Sequence, residues 1–193
     1  MEETSRRTLE DYERIADHFW EATRDHDVTQ NIDALLSSIE GEGPHRILDF
    51  GCGPGRDLVA FKELGHVPVG LDGCARFAEM ARERSGCEVL HQDFLSLSLP
   101  PRSFDGVFAN ASLFHVPSAE LPRVIALLFA AIRPGGALVA SNPIGGGDEG
   151  WRNGRYGCFF DHARWSKLFR DAGFTELGHY VRADRWIVIK LSR

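Results

Sequence analysis

No apolar run in the 193 residues reaches the roughly 18 that a helix needs to cross a bilayer. Cysteine is scarce. Cys52, Cys74, Cys87 and Cys158 are scattered and form no CxxC pair, so free thiols in a reducing compartment are expected. Positive charge is in deficit: 22 Lys and Arg stand against 28 Asp and Glu, for a net charge of -6. That balance argues against a nucleic-acid or anionic membrane surface as partner. HExxH, HxxxH and carboxylate clusters are missing, so no metal is expected. The opening "MEETSRRTLEDYERIADHFW" is too charged for a secretory signal, which points to the cytoplasm. Internal repeats and low-complexity tracts are absent as well. What remains is an ordinary globular composition, 43% apolar and 26% charged, long enough for one domain with a real core.

The apolar pattern alternates between two periods. "LEDYERIADHFW" and "DVTQNIDALLSSIE" read as amphipathic helices, with Asp27 placed to cap the second. They form an N-terminal helical cap over residues 1–43. From residue 44 to 193, short strands such as "HRILDF", "VPVGLD", "CEVLHQD", "FDGVFAN" and "ALVASN" alternate with helices. A long helix over "SAELPRVIALLFAAIRPGG" is expected to stop at Pro134 and Gly135, and a glycine-rich loop to run from Pro143 to Gly157. Two closing strands, "FTELGHYV" and "RWIVIKL", have no helix between them. Alternation predicts an α/β fold, a parallel sheet with helices on both faces. The closing pair predicts an antiparallel hairpin at one edge.

"ILDFGCGPGRDL" poses the functional question. Three glycines, Gly51, Gly53 and Gly55, follow Asp49 directly after the first strand. Glycine is placed where a side chain would clash or where φ is positive, and ligands in such sheets sit at strand carboxyl ends. Asp72, ending the second strand, suits a pair of ribose hydroxyls, since a carboxylate accepts two hydrogen bonds. That much allows a dinucleotide. However, the spacing is GxGxG rather than the GxGxxG that aims a helix at a pyrophosphate. Asp49 beside the turn would repel phosphate and suit an ammonium group. Asp93 and Phe94 after the third strand suit an adenine, the carboxylate accepting from its amine and the ring packing on the base. A ligand with an ammonium, a ribose, an adenine and no phosphate is S-adenosylmethionine.

"LDFGCGPG", "GLDG", "HQDF", "FDGVFAN" and "IRPGGAL", in that order, resemble the successive motifs of class I S-adenosylmethionine-dependent methyltransferases. The resemblance implies a Rossmann-like, seven-stranded, mostly parallel sheet with a reversed last strand. It also implies S-adenosylhomocysteine as product. By resemblance, Asp49, Gly51, Cys52 and Gly53 line the methionine moiety, Asp72 and Gly73 the ribose, and Asp93 and Phe94 the adenine. Asn110 then lies near the transferred methyl. On the first amphipathic helix, Tyr12 and Phe19 are placed either to close over the cofactor or simply to pack that helix. "NASLFH" stands where methyltransferases of nucleobases or glutamine amides carry Asn-Pro-Pro-aromatic, which favours a small-molecule substrate.

A narrower resemblance joins "TRDHDVTQNIDALL", "GCEVLHQDFL", "FDGVFANASLFHVP" and "EGWRNGRYG" to the methyltransferase domain of ovothiol biosynthesis. It implies N-methylation of the imidazole of 5-thiohistidine, and a functional link to the sulfoxide synthase that is often fused to that domain. Candidate catalytic residues are Asn110, His115 and Tyr156. Candidate substrate contacts are Arg24, Asn142, Trp151, Arg155 and Tyr156, with Arg155 or Arg24 on the amino-acid carboxylate and the 143–157 loop closing over bound substrate. Two alternatives stand beside this: another small thiol, chalcogen or carboxylate as acceptor, and a protein that binds S-adenosylmethionine without catalysis.

Overall fold

β1 (Arg46–Phe50) is buried from Ile47 onward, and its neighbours in the sheet define everything around the candidate site. In the computed structural model, which describes residues 2–183 and 185–193, side chains along β1 alternate between two packed layers. Leu48 and Phe50 join a core with α5 (Leu121–Ala131) and α6 (His162–Asp171), including Leu128, Trp165 and Phe169. Ile47 joins the opposite core with Leu35 of α2 (Thr29–Leu36) and Phe61 of α3 (Arg56–Glu63). Two buried faces require a layer of helices on each.

The seven-stranded sheet has the order β3-β2-β1-β4-β5-β9-β8. β2 (Val67–Asp72), β3 (Glu88–His91), β4 (Phe104–Asn110) and β5 (Ile132–Pro143) continue the parallel run from β1. β9 (Trp186–Ser192) is reversed and lies between β5 and the edge strand β8 (Thr175–Arg182), antiparallel to both. The expected closing hairpin is therefore present, with its second strand inserted inward. The chain moves from β1 to β2 and β3 on one side, then returns to place β4 on the other. Strand order switches between β1 and β4, which opens a crevice at their carboxyl ends.

Three expectations change. α5 ends at Ala131, three residues before Pro134, because Ile132 already pairs with Phe104 at the start of β5. α2 stops at Leu36, where Ser38 Oγ takes the Ala34 carbonyl at 2.7 Å, and Asp27 accepts from Thr29 N at 2.9 Å from one residue before the cap position. The glycine-rich 143–157 segment is no open loop. Its larger part forms a hairpin of β6 (Asp148–Arg152) and β7 (Arg155–Phe159), in which Gly150 opposes Gly157 and Trp151 opposes Tyr156. Gly154, at φ +82, supplies the turn.

α1 (Glu2–Thr23) lies across the carboxyl side of the sheet. Its apolar stripe, Leu9, Tyr12, Ala16, Phe19 and Trp20, packs on Phe77 and Met80 of α4 (Ala75–Ser85). Cys74 caps α4 with its sulfur, which accepts from Phe77 N at 3.4 Å. No helix of the described residues is long and apolar enough to cross a membrane.

Candidate active site

The crevice at the switch point widens into a cavity of about 610 Å³ roofed by α1. Its floor begins at the turn after β1. Gly51, Gly53 and Gly55 all have positive φ, at +79°, +52° and +93°, but they answer to different neighbours. A Cβ on Gly51 would lie 2.4 Å from Ser112 Cβ, and one on Gly55 2.7 Å from Ala81 Cα. Those two glycines are demanded by the protein's own packing. In front of Gly53 the nearest atom is Phe19 at 3.9 Å. The free space lies there.

Asp72 ties this turn to the next. Its Oδ2 accepts from Gly53 N at 2.9 Å and its Oδ1 from Cys74 N at 2.9 Å. Burial pushes its pKa up to about 6, against the pull of those backbone N–H donors. Both oxygens keep further lone pairs for a ligand. Asp93 lines the same end of the cavity; its Oδ1 accepts from Leu95 N at 2.8 Å and its Oδ2 from Ser5 Oγ at 2.7 Å. Beside it, the Phe94 ring stacks on Phe50 with centroids 4.1 Å apart.

Asp49 sits behind the turn, 1% exposed and outside the cavity lining. Its Oδ2 has no hydrogen-bond partner. Burial raises its pKa well above the usual carboxylate range; Asp57 and Asp72 add to the rise and Arg56 opposes it. Of the neighbours Asp49 and Asp57, the one that lines the cavity is Asp57, in the first turn of α3. Arg56 forks onto it at 2.7 and 3.0 Å, and Asn110 Nδ2 approaches its Oδ2 at 3.4 Å. The only sequence signal for Asp57 is its place one residue after "GPGR".

Asn110 is held from two sides, since its Oδ1 also accepts from Asn31 Nδ2 at 2.9 Å. Asn31 is a buried amide on the apolar stripe of α2, and its own Oδ1 accepts from Tyr180 Oη at 2.8 Å. His115 lines the cavity with both ring nitrogens engaged. Nδ1 lies 2.6 Å from the Tyr156 carbonyl, which can only accept, so Nδ1 carries the proton. Nε2 then accepts from Tyr12 Oη at 2.7 Å. Burial pushes the His115 pKa down to about 4, and burial likewise pushes the Tyr12 hydroxyl up to about 12. At neutral pH the pair is uncharged.

The cavity thus brings together Tyr12, Gly51, Cys52, Gly53, Asp72, Gly73, Asp93, Phe94, Asn110 and His115. It does not include the five substrate candidates. Arg24 is exposed and pairs with Glu21 at 3.0 Å. Asn142 is fully buried, with neither amide atom partnered. Trp151 lies under the Arg7 guanidinium of α1, 4.1 Å from its ring centre. Arg155 packs over the Tyr12 ring at 4.9 Å, with Asp11 at 3.5 Å. Tyr156 meets Trp151 edge-on, and its main-chain N–H donates to Thr8 Oγ1 at 3.1 Å. Instead, the end of the cavity nearest β8 and β9 is lined by His26, Asp27, Arg182 and Trp186. Arg182 Nη2 donates to the Asp27 carbonyl at 2.6 Å.

The residues fit S-adenosylmethionine. Asp72 offers acceptors to a ribose, Asp93 and Phe94 offer an acceptor and a ring face to an adenine, and Gly53 leaves the main chain open between them. Comparison with known proteins agrees. Residues 47–136 match the family described as a methyltransferase domain. Trans-aconitate 2-methyltransferase of Paracidovorax citrulli (strain AAC00-1) is 34% identical over 113 residues, which are 56% of this chain and 43% of that protein. The chain spans about half or less of the length of the curated relatives it matches.

Among solved structures, the 1,6-didemethyltoxoflavin-N1-methyltransferase of Burkholderia thailandensis, with bound 1,6-didemethyltoxoflavin and S-adenosylhomocysteine, superposes with a TM-score of 0.77. It is 22% identical, and the match covers 95% of this chain and 85% of that one. The [4+2]-cyclase SpnF superposes at 0.73, with 21% identity over 92% of this chain and 75% of that one. The shared fold alone does not choose between such reactions. The chain has the Rossmann-like fold of class I S-adenosylmethionine-dependent methyltransferases, and its residues 47–136 match the model of a methyltransferase domain.

Proposed function

We propose that this protein transfers a methyl group from S-adenosylmethionine to a small molecule, with an imidazole nitrogen of 5-thiohistidine as the acceptor and ovothiol A as product. The observation that carries the small-molecule reading is the cavity of about 610 Å³ under α1. Pockets of roughly 300–1,000 Å³ enclose ligands of drug size. Such a space suits the cofactor and a compact acceptor rather than a polymer.

Asp72 would hold the ribose, Asp93 and Phe94 the adenine, and Gly51 to Gly53 the methionine portion. Asp57 would face its ammonium group, with Asp49 behind the turn acting through water. Bound there, the cofactor supplies a methyl group on a positively charged sulfur. The protein's own work is alignment and exclusion of water. Asn110, pinned by Asn31 and Asp57, presents an amide that cannot rotate freely. Tyr12, Phe19 and Trp20 cover the cavity, and His115 fixes the Tyr12 hydroxyl. With Nε2 engaged and the ring neutral, His115 acts as a positioning residue.

The acceptor would occupy the β8–β9 end. Arg182 forks onto its carboxylate, Asp27 faces its ammonium group, and the Trp186 ring lies against the imidazole. Arg182 thereby takes the part that the sequence suggested for Arg155 or Arg24. An enzyme that installs sulfur on histidine, such as a sulfoxide synthase, would supply this substrate. A carboxylate acceptor is the second reading, favoured by Arg182 in the lining and by the trans-aconitate relative. The test is a ranking of kcat/KM over 5-thiohistidine, histidine, small thiols and trans-aconitate, with mass spectrometry of each product. The proposal expects 5-thiohistidine first, methylated on the ring. A tricarboxylate or simple thiol ranking first would replace it.

A further inference from the structure

Remote from the cavity, His162, Glu176 and His179 converge where α6 meets β8. One ligand atom from each lies within 4.8 Å of the other two, the one such set of three among the described residues. Glu176 Oε1 sits 2.8 Å from His162 Nε2 and 2.9 Å from His179 Nδ1. None of the three lines the cavity.

Local structure makes this arrangement. His162 opens α6, directly after Asp161 caps the helix by accepting from Arg164 N at 2.9 Å. Glu176 and His179 are three apart in a strand, a spacing that normally sends side chains to opposite faces. Here β8 carries a bulge between Glu176 and Gly178. Glu176 pairs with Leu191 and His179 with Ile189, so the extra residue, Leu177, returns both side chains to one face. Bulges commonly re-aim a side chain in this way. Ser166 Oγ, one turn into α6, donates to the other carboxylate oxygen and orients Glu176. A hydrogen bond of that kind is the usual support behind a metal-binding carboxylate.

We propose that His162 Nε2, His179 Nδ1 and Glu176 Oε1 form a binding site for a divalent transition-metal ion of the zinc type. Two imidazoles and a carboxylate are a donor set such ions accept, with bonds of about 2.0–2.2 Å and a position left for water. The present separations near 2.8–2.9 Å open by only about half an ångström to reach the edge of a tetrahedron with such bonds. Without metal, each ring aims an N–H at Glu176. On binding, each neutral ring moves that proton to its other nitrogen and turns a lone pair to the ion. The ion would brace the edge strand β8 against α6. It has no part in methyl transfer, so the proposal stands or falls independently of the assigned reaction.

The probe is Zn²⁺ added to the full chain freed of metal by chelator, with binding followed by competition against a chromophoric chelator. The other histidines and the cysteine thiols make variants essential. His179 is 44% exposed at its side chain, so His179→Ala leaves the core intact, and circular dichroism checks its fold. The expected result is one tight equivalent in the parent, weakened at least 30-fold in His179→Ala and in His162→Ala. Ser166→Ala should weaken it roughly 10- to 100-fold. Zinc should also raise the Tm of the parent and leave that of His179→Ala unchanged. Equal zinc affinity in parent and His179→Ala, or no binding below millimolar zinc, overturns the proposal.

Discussion

Asp72 is the residue where charge, burial and ligand recognition meet. Its pKa of about 6 lies above the ordinary 3.8, because burial outweighs the N–H donors of Cys74 and Gly53. For the cofactor-free protein the raised value means stability that is fully present below about pH 4 and lost as pH rises through about 6. Cofactor binding runs the other way. In the proposed pose ribose hydroxyls would donate to the ionised carboxylate, so affinity should fall as pH drops below about 6, approaching tenfold per unit. Calorimetry with S-adenosylmethionine between pH 5 and 8 checks this. Asp72→Asn should abolish the slope and weaken binding by about 1.5–3 kcal/mol, the range for hydrogen bonds to a charged group. His115 makes a contrasting case. Already neutral, with a pKa pushed by burial to about 4, it should leave no inflection between pH 5 and 8. Tyr12→Phe keeps the ring and removes the bond to Nε2. Denaturant unfolding should show a loss of about 0.5–1.5 kcal/mol.

At the scale of elements, the half of the cavity assigned to the cofactor was legible and the other half was not. Asp72, Asp93 and Asn110 each end or follow a strand, so a local motif places them once strands alternate with helices. The β8–β9 end is built from pieces far apart. Tyr180 Oη reaches Asn31 across 149 residues of chain, and Arg182 reaches the Asp27 carbonyl across 155. No spacing within a motif encodes such a meeting. The segment around Trp151 and Arg155 departs from the expected open loop for a related reason. Aromatic and basic residues among glycines suggested a substrate loop, whereas alternation about the Asn153–Gly154 turn makes a hairpin. That hairpin docks on α1 through Tyr156 N and Arg155. Two variants separate the roles. Arg182→Ala should raise KM for a carboxylate-bearing acceptor by roughly 10- to 100-fold and leave cofactor affinity within about threefold, as expected for a lost charged pair. Arg155→Ala loosens the roof, so it should weaken cofactor and acceptor together. Steady-state kinetics with each substrate varied in turn distinguishes the two patterns.

For the molecule as a whole, the sheet order puts one cavity where strand order switches and covers it with the N-terminal helix. Fold class and the closing antiparallel hairpin followed from the alternation of periods and from the helix-free connection at the end, and the reversal of the last strand from the family resemblance. The insertion of β9 between β5 and β8 did not, since pairing across the sheet depends on which edge is left open after β5. The chemistry assigned to the cavity uses alignment, with no cluster of three metal-ligating side chains there among the described residues. Methyl transfer should therefore survive EDTA, even where the chelator strips zinc from His162 and His179 and lowers the Tm.

Methyl transfer from S-adenosylmethionine to a small acceptor inside this cavity can be followed atom by atom. The direct measurement supplies the cofactor with a deuterated methyl group and follows S-adenosylhomocysteine and 5-thiohistidine together by mass spectrometry. The labelled methyl should appear on the imidazole ring in amounts equal to S-adenosylhomocysteine, and Asp72→Asn should slow both alike at subsaturating cofactor. Tight binding of S-adenosylmethionine with no S-adenosylhomocysteine formed from any acceptor of the panel would contradict it, and would make the protein a binder of the cofactor instead.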